Sequence, residues 1–164
     1  MATPRQLHAH SVIRRGVLTP AALRNGAWQS VFRGLYVDSR LVHDHRRRCV
    51  EAVAHLPAGA AIAGRSAAYL YGAGTVGPDE PIEIVRAVRA SDVRVRGELR
   101  ITSPARTCWD LARSLDAASA GVLVDALVRS RVVAVADLVA YARARGGVPG
   151  WRRLRAVAAG VNGI

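Results

Sequence analysis

The residues with the clearest chemical potential in this chain are its arginines. All 24 basic residues among the 164 are arginine, and they stand against 12 acidic residues, for a formal net charge of +12. Guanidinium groups bind phosphate oxygens through a planar fork of N–H donors, so this surplus favours DNA, RNA or another polyanion as partner. Residues 1–48 hold nine arginines and two acids, a net charge of +7, so positive charge is densest there.

One arginine stands between two apolar, aromatic-bearing runs in GAWQSVFRGLYV, residues 26–37. This pattern predicts a β-hairpin with Arg33 at its tip, where the side chain would enter a narrow minor groove. The register stays open, since a two-residue turn pairs Phe32 with Leu35, whereas a three-residue turn, which suits arginine better, pairs Val31 with Leu35. Three consecutive arginines follow at residues 46–48, and at most two of them can face one partner from a helix. The predicted DNA-binding residues are Arg14, Arg15, Arg24, Arg33, Arg46 and Arg47.

Catalytic patterns are weak in this sequence. The two His-x-His pairs, at residues 8–10 and 43–45, would lie on opposite sides of a helix, so we predict no metal site. Phosphate-binding loops that end in lysine, and nucleases that use Glu-x-Lys, are excluded because the chain has no lysine. Arg106 and Asp110 are spaced as an ion pair on a helix surface. We therefore predict a protein that is not an enzyme and uses no cofactor.

A further candidate site lies at Gly64-Arg65-Ser66, where a short strand over 60–63 is predicted to turn into a helix. Amide groups at a helix N-terminus bind anions, which makes Arg65 and Ser66 candidate anion-binding residues. The alternative is that Ser66 simply caps the helix.

The two cysteines, Cys49 and Cys108, fall at apolar positions of helical patterns, as expected of buried thiols in a reducing cytoplasm. No signal peptide is visible, and no apolar run reaches the roughly 18–20 residues that a membrane span requires. The sequence therefore predicts a cytoplasmic location and no membrane association.

The elements that position these residues follow from cap and periodicity signals. Helices are predicted over 4–15, 21–24, 44–56, 66–71, 105–115, 116–129, 135–145 and 151–159. Strands are predicted in the hairpin and, from period-two alternation, over 81–88 and 93–102, with a Gly/Pro loop over 72–81. The fold class is α/β (α+β). An abbreviated N-terminal winged helix-turn-helix is expected to precede a small sheet packed with C-terminal helices.

Four runs carry a family resemblance, in the order GVLTPAALRNGAWQSVFRGLYV, DHRRRC, AGRSAAYLYGA and ITSPARTCWDLAR. Over roughly residues 12–155 the chain resembles the AbiEi-type antitoxin and transcriptional-regulator family of bacteria, in its actinobacterial form. The resemblance implies a winged-helix-like DNA-binding region over 1–40 and an AbiEi-type α/β antitoxin domain over 41–164. It also implies repression of the protein's own toxin–antitoxin operon through double-stranded operator DNA. A nucleotidyltransferase-like toxin would be its functional partner in a type IV system, without direct contact.

Two features depart from the family pattern. Only 26 residues precede the hairpin, which is enough for two helices, whereas a full winged helix places three before the wing. Many similar chains also continue into a Vsr-like endonuclease module, whose Val-Glu-Val-Asp-Gly strand does not occur here. The alternative function is therefore a non-catalytic interaction or remnant module of a truncated endonuclease-family protein. Its docking face would be residues 151–155, unless this helix is only a solvated amphipathic helix with Trp151 packed inward.

Overall fold

The structure is a computed structural model that describes residues 7–8, 19–32, 35–38, 44–53, 55–78, 80–86 and 88–161. The fold is mixed α/β, as predicted. Two compact units divide the chain: a first unit of Met1–Leu56 with Gly77–Ile82, and a second unit of Pro57–Val76 with Glu83–Ile164. The predicted functional boundary at residue 40 stays a prediction.

The first unit contains a three-stranded antiparallel sheet. Its strands are β1 (Leu7–His8), β2 (Trp28–Phe32) and β3 (Leu35–Asp38), in the order β1-β3-β2. Helix α1 (Pro20–Arg24) comes between β1 and β2 along the chain, and helix α2 (His45–Val53) follows the sheet. Because two strands alone are marginally stable in water, the third strand matters to the stability of this hairpin.

Helix α1 is short and carries signals at both ends. Thr19 caps it, its hydroxyl oxygen accepting a hydrogen bond from the Ala22 amide at 3.1 Å, and Pro20 occupies the first turn. After Asn25, Gly26 adopts a φ of +77°, which ends the helix and leads into β2. The predicted helix over 21–24 is confirmed.

One prediction for the first unit is wrong, and the structure decides the hairpin register that the sequence left open. Leu7 and His8 were predicted inside a helix over 4–15, but they pair with Tyr36 and Leu35 as a strand, so sheet pairing overrides the helical signal. The rest of that predicted helix lies outside the described residues. In the hairpin, Phe32 pairs with Leu35, which is the two-residue connection and not the favoured three-residue one. A register shift between Ser30 and Phe32 accommodates this pairing as a β-bulge.

The second unit contains a four-stranded mixed sheet. The strands are β4 (Ala61–Ile62), β5 (Ile84–Val85), β6 (Val93–Arg96) and β7 (Leu99–Thr102), in the order β5-β4-β7-β6. Strands β4 and β7 run parallel, and the two outer strands run antiparallel to their neighbours. Strand β6 therefore lies at an edge.

Of the strand predictions for this unit, the one over 93–102 is confirmed and the one over 81–88 is confirmed in part. Residues 93–102 form the β6–β7 hairpin, whose turn places Gly97 at a φ of +60°. Among the described residues of the predicted strand over 81–88, Ile84 and Val85 pair with the two residues of β4. The predicted loop over 72–81 has no helix or strand in its described residues.

The described helices of this unit are α3 (Gly64–Leu70), which follows β4, and a group of four that follows β7. Strands β5 to β7 and a 3-10 turn (Ala90–Asp92) lie between α3 and this group. The four are α4 (Pro104–Ser114), α5 (Ala117–Arg129), α6 (Val135–Arg143) and α7 (Trp151–Val161). Ser103 and Asp116 cap α4 and α5 by accepting from Arg106 N at 3.4 Å and Ser119 N at 2.9 Å, as the sequence predicted.

The core of the second unit is apolar and lies among the C-terminal helices. Each helix contributes residues at three- and four-residue spacing, so one stripe of each faces the interior. The largest fully buried side chains of this core are Leu111, Val124, Leu127, Leu138 and Leu154. At roughly 1.5–3 kcal/mol for each large buried side chain, this packing is the main stabilising term of the unit.

Candidate nucleic-acid interface

The six predicted DNA-binding arginines divide into two sets of three. Arg24 is exposed in the last turn of α1, and Arg46 and Arg47 are exposed at the start of α2. The other three, Arg14, Arg15 and Arg33, lie outside the described residues, so their predicted roles stay predictions.

The three consecutive arginines of helix α2 differ in exposure and in bonding partners. Arg46 is exposed and forms no ion pair within the described ranges. Arg47 is exposed but its Nε donates to Glu51 Oε1 at 3.1 Å. Arg48 turns inward, is 3% exposed, and its Nη1 donates to the carbonyl oxygens of Pro78 and, at 2.9 Å, Glu80. Two of the three therefore face solvent, as helical geometry predicted.

The inward arginine has a structural role that the sequence did not reveal. Arg48 joins helix α2 to the segment Gly77–Ile82 of the same unit, because it donates to two carbonyl groups of that segment. Hydrogen bonds with a charged donor are shorter and stronger than neutral ones, so a single side chain can hold this loop. No sequence signal distinguished Arg48 from its two neighbours.

The candidate anion site at Arg65 and Ser66 is occupied by the chain's own carboxylate. Glu83 Oε2 accepts from the Arg65 amide at 2.9 Å, and the Arg65 guanidinium lies 3.8 Å from Glu83 Oε1. Gly64, at a φ of +55°, permits this approach, since a Cβ there would lie 1.8 Å from Oε2. Ser66 is not the cap, because Ala63 holds that position and the Ser66 hydroxyl accepts from the Glu83 amide at 2.9 Å.

A second basic stretch, which the sequence analysis missed, lies along the β6–β7 hairpin. Arg94 and Arg96 are exposed on the edge strand, and Arg96 lies 5.5 Å from the centre of the Tyr71 ring. Arg86 and Arg89 are also exposed in the segment before β6. The signal was present as Val-Arg-Val-Arg, in which arginine recurs with the period of a strand, but the alternation was used only to predict the strand.

Other arginines in the second unit are neutralised by acids. Arg145 Nη2 donates to both oxygens of Asp92, at 3.0 and 2.9 Å, and its guanidinium carbon lies 3.5 Å from the Tyr141 ring centre. Arg106 Nε donates to Asp110 Oδ1 at 2.9 Å, and Arg106 Nη1 lies 3.8 Å from Asp92 Oδ2. The predicted Arg106–Asp110 pair is confirmed, but it belongs to a half-buried network and not to an isolated surface contact.

The chemistry of this network is structural. Burial raises the pKa of the Asp110 carboxyl, while Arg106 acts in the opposite direction. Burial, and then the Asp92 charge, raise the pKa of the Tyr141 hydroxyl. Because the carboxylates are held by guanidinium groups, the cluster joins the 3-10 turn, α4 and the turn that follows α6.

The groups that nucleophilic or metal chemistry would use are the cysteines and the possible metal ligands of the described residues. Burial raises the pKa of both Cys49 and Cys108 to about 12, so these buried thiols are poor nucleophiles at neutral pH. No group of three or more His, Cys, Asp or Glu residues there is arranged to hold a metal ion. None of the described helices combines the length and apolar character needed to span a membrane.

Comparison of the chain with protein-family models, curated proteins and solved structures gave no match. The AbiEi-type resemblance therefore rests on the four sequence runs.

Proposed function

We propose that this protein is a DNA-binding transcriptional regulator of the antitoxin type, and that its first unit contacts the phosphate backbone of duplex DNA. The main support is that five acidic residues pair with arginines of the same chain, whereas many arginines have no acidic partner among the described residues. Glu51, Glu83, Asp92, Asp110 and Asp125 all pair with arginines of the same chain.

Many arginines, in contrast, are exposed and take no part in an ion pair with any described residue. A surface of this kind attracts polyanions, and the release of counterions from DNA makes the attraction favourable. The exposed arginines without an ion pair in the described ranges are Arg24, Arg46, Arg86, Arg89, Arg94, Arg96, Arg113, Arg131, Arg143, Arg152, Arg153 and Arg155.

The architecture of the first unit supports placing the contact there. A three-stranded sheet that includes the hairpin, with helix α1 between its first and second strands, is compatible with a winged-helix module. In this proposal the hairpin carries Arg33 to the backbone or minor groove, and Arg24 and Arg46 reach phosphates. Regulation of its own operon, with a nucleotidyltransferase-like toxin as functional partner, is the extension that the family resemblance suggests.

Fluorescence anisotropy with two labelled duplexes tests this proposal. One duplex carries the region upstream of the protein's own gene, and the other is a scrambled sequence of equal length and composition. A regulator binds the upstream duplex more tightly, by the roughly 10³-fold or more that is typical of specific recognition. Equal affinity for both would contradict regulation but not DNA binding, and no binding to either at about 50 mM salt would contradict both.

Single substitutions locate the contact. Arg33→Ala, Arg24→Ala and Arg46→Ala should each weaken binding several-fold, as expected for the loss of one phosphate contact. Arg143→Ala is the matched control, since it removes an exposed arginine from helix α6 of the second unit. If Arg94→Ala with Arg96→Ala abolished binding while the first three had no effect, the contact surface would be the β6–β7 hairpin instead.

A further inference from the structure

Helix α7 combines an aromatic ring with arginines and contains no acidic residue. It buries Leu154, Val157 and Ala158 in the core of the second unit. At about 100° per residue, a second set of side chains continues from the edge of this buried stripe onto the solvent-facing side. This set lines a shallow recess of about 400 Å³ and consists of Trp151, Arg152, Arg155, Ala156 and Ala159.

The indole of Trp151 is half-buried and packs against the apolar core, so it is held in place. The guanidinium carbons of Arg152 and Arg155 lie 5.4 and 5.9 Å from its ring centre, within the range of cation–π attraction. Both arginines are exposed, and neither forms an ion pair with a described residue. Arg153, in contrast, donates from Nη1 to the carbonyl oxygen of Arg113 at 3.3 Å. Two guanidinium groups therefore lie beside one fixed ring.

This combination of groups has the chemistry that recognises a nucleotide. An indole stacks on the face of a base, and guanidinium groups bind the adjoining phosphates. In a duplex the neighbouring base pairs cover both faces of each base, so only an unpaired base can use the ring. The side chains of Ala156 and Ala159 are small and leave room for a base beside the indole. An acidic peptide would pair with the arginines but would make no use of the ring.

We propose that this side of α7 binds an unpaired nucleotide of a single-stranded nucleic acid. Its base would stack against Trp151, and the phosphates that flank it would bind Arg152 and Arg155. The site belongs to the second unit, and it is separate from the duplex-binding surface proposed for the first. Because every base has a π-face, the site should bind strands with little preference for sequence.

Fluorescence anisotropy of the full-length protein with a labelled strand of ten thymidines, in about 50 mM salt, tests this inference. Trp151→Leu removes the ring but keeps an apolar side chain, and it should weaken binding about tenfold or more, as expected for the loss of one stacked base. Trp151→Tyr keeps an aromatic ring and should bind within about threefold of the wild type. Trp28→Phe changes a tryptophan of the first unit and should leave the affinity unchanged.

Tryptophan emission reports the stacking itself, because a base stacked on an indole quenches its fluorescence. The strand should quench the emission of the wild type and of Trp28→Phe, and this quenching should be lost in Trp151→Leu. The third tryptophan, Trp109, is 3% exposed, so a bound strand should not change its emission.

Salt dependence tests the two arginines. For single strands the logarithm of affinity falls with the logarithm of salt concentration, with a slope of about −0.7 for each phosphate neutralised. Arg152→Ala combined with Arg155→Ala should therefore reduce the magnitude of the slope by about 1.4. Arg86→Ala combined with Arg89→Ala is the matched control, since it removes the same charge from exposed residues of the same unit and should leave the slope unchanged. Circular dichroism would establish that these surface variants are folded.

A strand of ten uridines and free thymidine monophosphate distinguish the possible sources of the nucleotide. Binding of either strand that depends on Trp151 supports the inference. A free nucleotide that binds as tightly as the strands would contradict a contact with flanking phosphates.

Three other outcomes would overturn the inference: no binding of either strand, wild-type binding by Trp151→Leu, or an equal loss of duplex and single-strand affinity in that variant. A loss of duplex binding alone, in Arg24→Ala or Arg46→Ala, concerns the first unit and leaves this inference standing.

Discussion

The two compact units differ in what fills their interiors. The buried residues of the second unit are mostly Ala, Leu, Ile and Val. In the described part of the first unit, in contrast, the buried side chains of helix α2 include His45, Arg48 and Glu51 beside Cys49 and Ala52. Apolar burial is roughly additive with area, whereas a buried charge stabilises only when its hydrogen bonds are made. Within the described residues, helix α2 of the first unit should therefore depend on a few polar contacts, whereas the second unit depends mainly on apolar packing.

Arginine has two uses in this protein, and each unit contains both. In the second unit Arg106 and Arg145 pair with Asp92 and Asp110 and hold elements together, whereas ten exposed arginines of that unit, Arg94 and Arg143 among them, have no ion pair with a described residue. In the first unit Arg48 is structural, whereas Arg24 and Arg46 are exposed with no ion pair among the described residues. An arginine that bonds to a carboxylate or carbonyl group of the chain thus stabilises the fold, whereas an exposed arginine without an ion pair is able to bind a ligand.

The largest expected effect comes from breaking the apolar core. Leu127→Ala removes a fully buried side chain from α5 and should lower the free energy of unfolding of the second unit by about 3–4 kcal/mol. Val122→Ala, on the exposed side of the same helix, should change it by less than about 0.5 kcal/mol. Urea unfolding followed by circular dichroism measures both, and equal effects would contradict an apolar core on this side of α5.

A smaller effect is expected from the polar interior of the first unit. Arg48→Met removes the donors to Pro78 and Glu80 and should destabilise this unit by about 2 kcal/mol, while Arg46→Met should have almost no effect. The two buried cysteines report on the units separately, since Cys49 lies in the first and Cys108 in the second. Thiol labelling followed by mass spectrometry should show Cys49 reacting about 30-fold faster in Arg48→Met.

The labelling rate of Cys108 in Arg48→Met should stay at its wild-type value. If the labelling rates of both thiols rose together, the first unit would not unfold independently of the second. The difference in interior composition would then not produce a difference in stability between the units.

The smallest of these effects concerns the carboxylate at the start of α3. Gly64→Ala places alanine at a positive φ and brings its Cβ into collision with the Glu83 carboxylate. This substitution should lower the free energy of unfolding by about 1–2 kcal/mol. Gly160→Ala is the control, because that helical glycine has open space around it and alanine favours helix there. A double variant, Gly64→Ala with Glu83→Ala, should recover the part of the loss that comes from the collision, and no recovery would contradict the proposed contact.

Local signals account for the parts of the fold that were predictable. Thr19-Pro20, Ser103-Pro104 and Asp116 start helices where they were expected, because capping depends on residues three positions away. The strand at Leu7–His8 was missed because its partner, β3, is nearly thirty residues later in the sequence. Pairing over that distance leaves no trace in a short window.

The same reasoning explains the outcome for the site residues. Exposure of Arg24, Arg46 and Arg47 followed from composition and helical geometry. The inward turn of Arg48 and the placement of Glu83 at Arg65 both depend on residues about twenty to thirty positions away in the sequence. Such contacts decide which charges are neutralised, so the sequence predicted a basic protein but not which arginines are available.

The most direct test of the account is the salt dependence of binding to a duplex. The logarithm of affinity should fall linearly with the logarithm of salt concentration, with a slope of about −0.9 for each phosphate neutralised. Arg24→Ala combined with Arg46→Ala should reduce the magnitude of this slope by about 2, while Arg143→Ala combined with Arg152→Ala should leave it unchanged. Equal reductions for the two pairs, or none for the first, would contradict a phosphate-binding surface on the first unit.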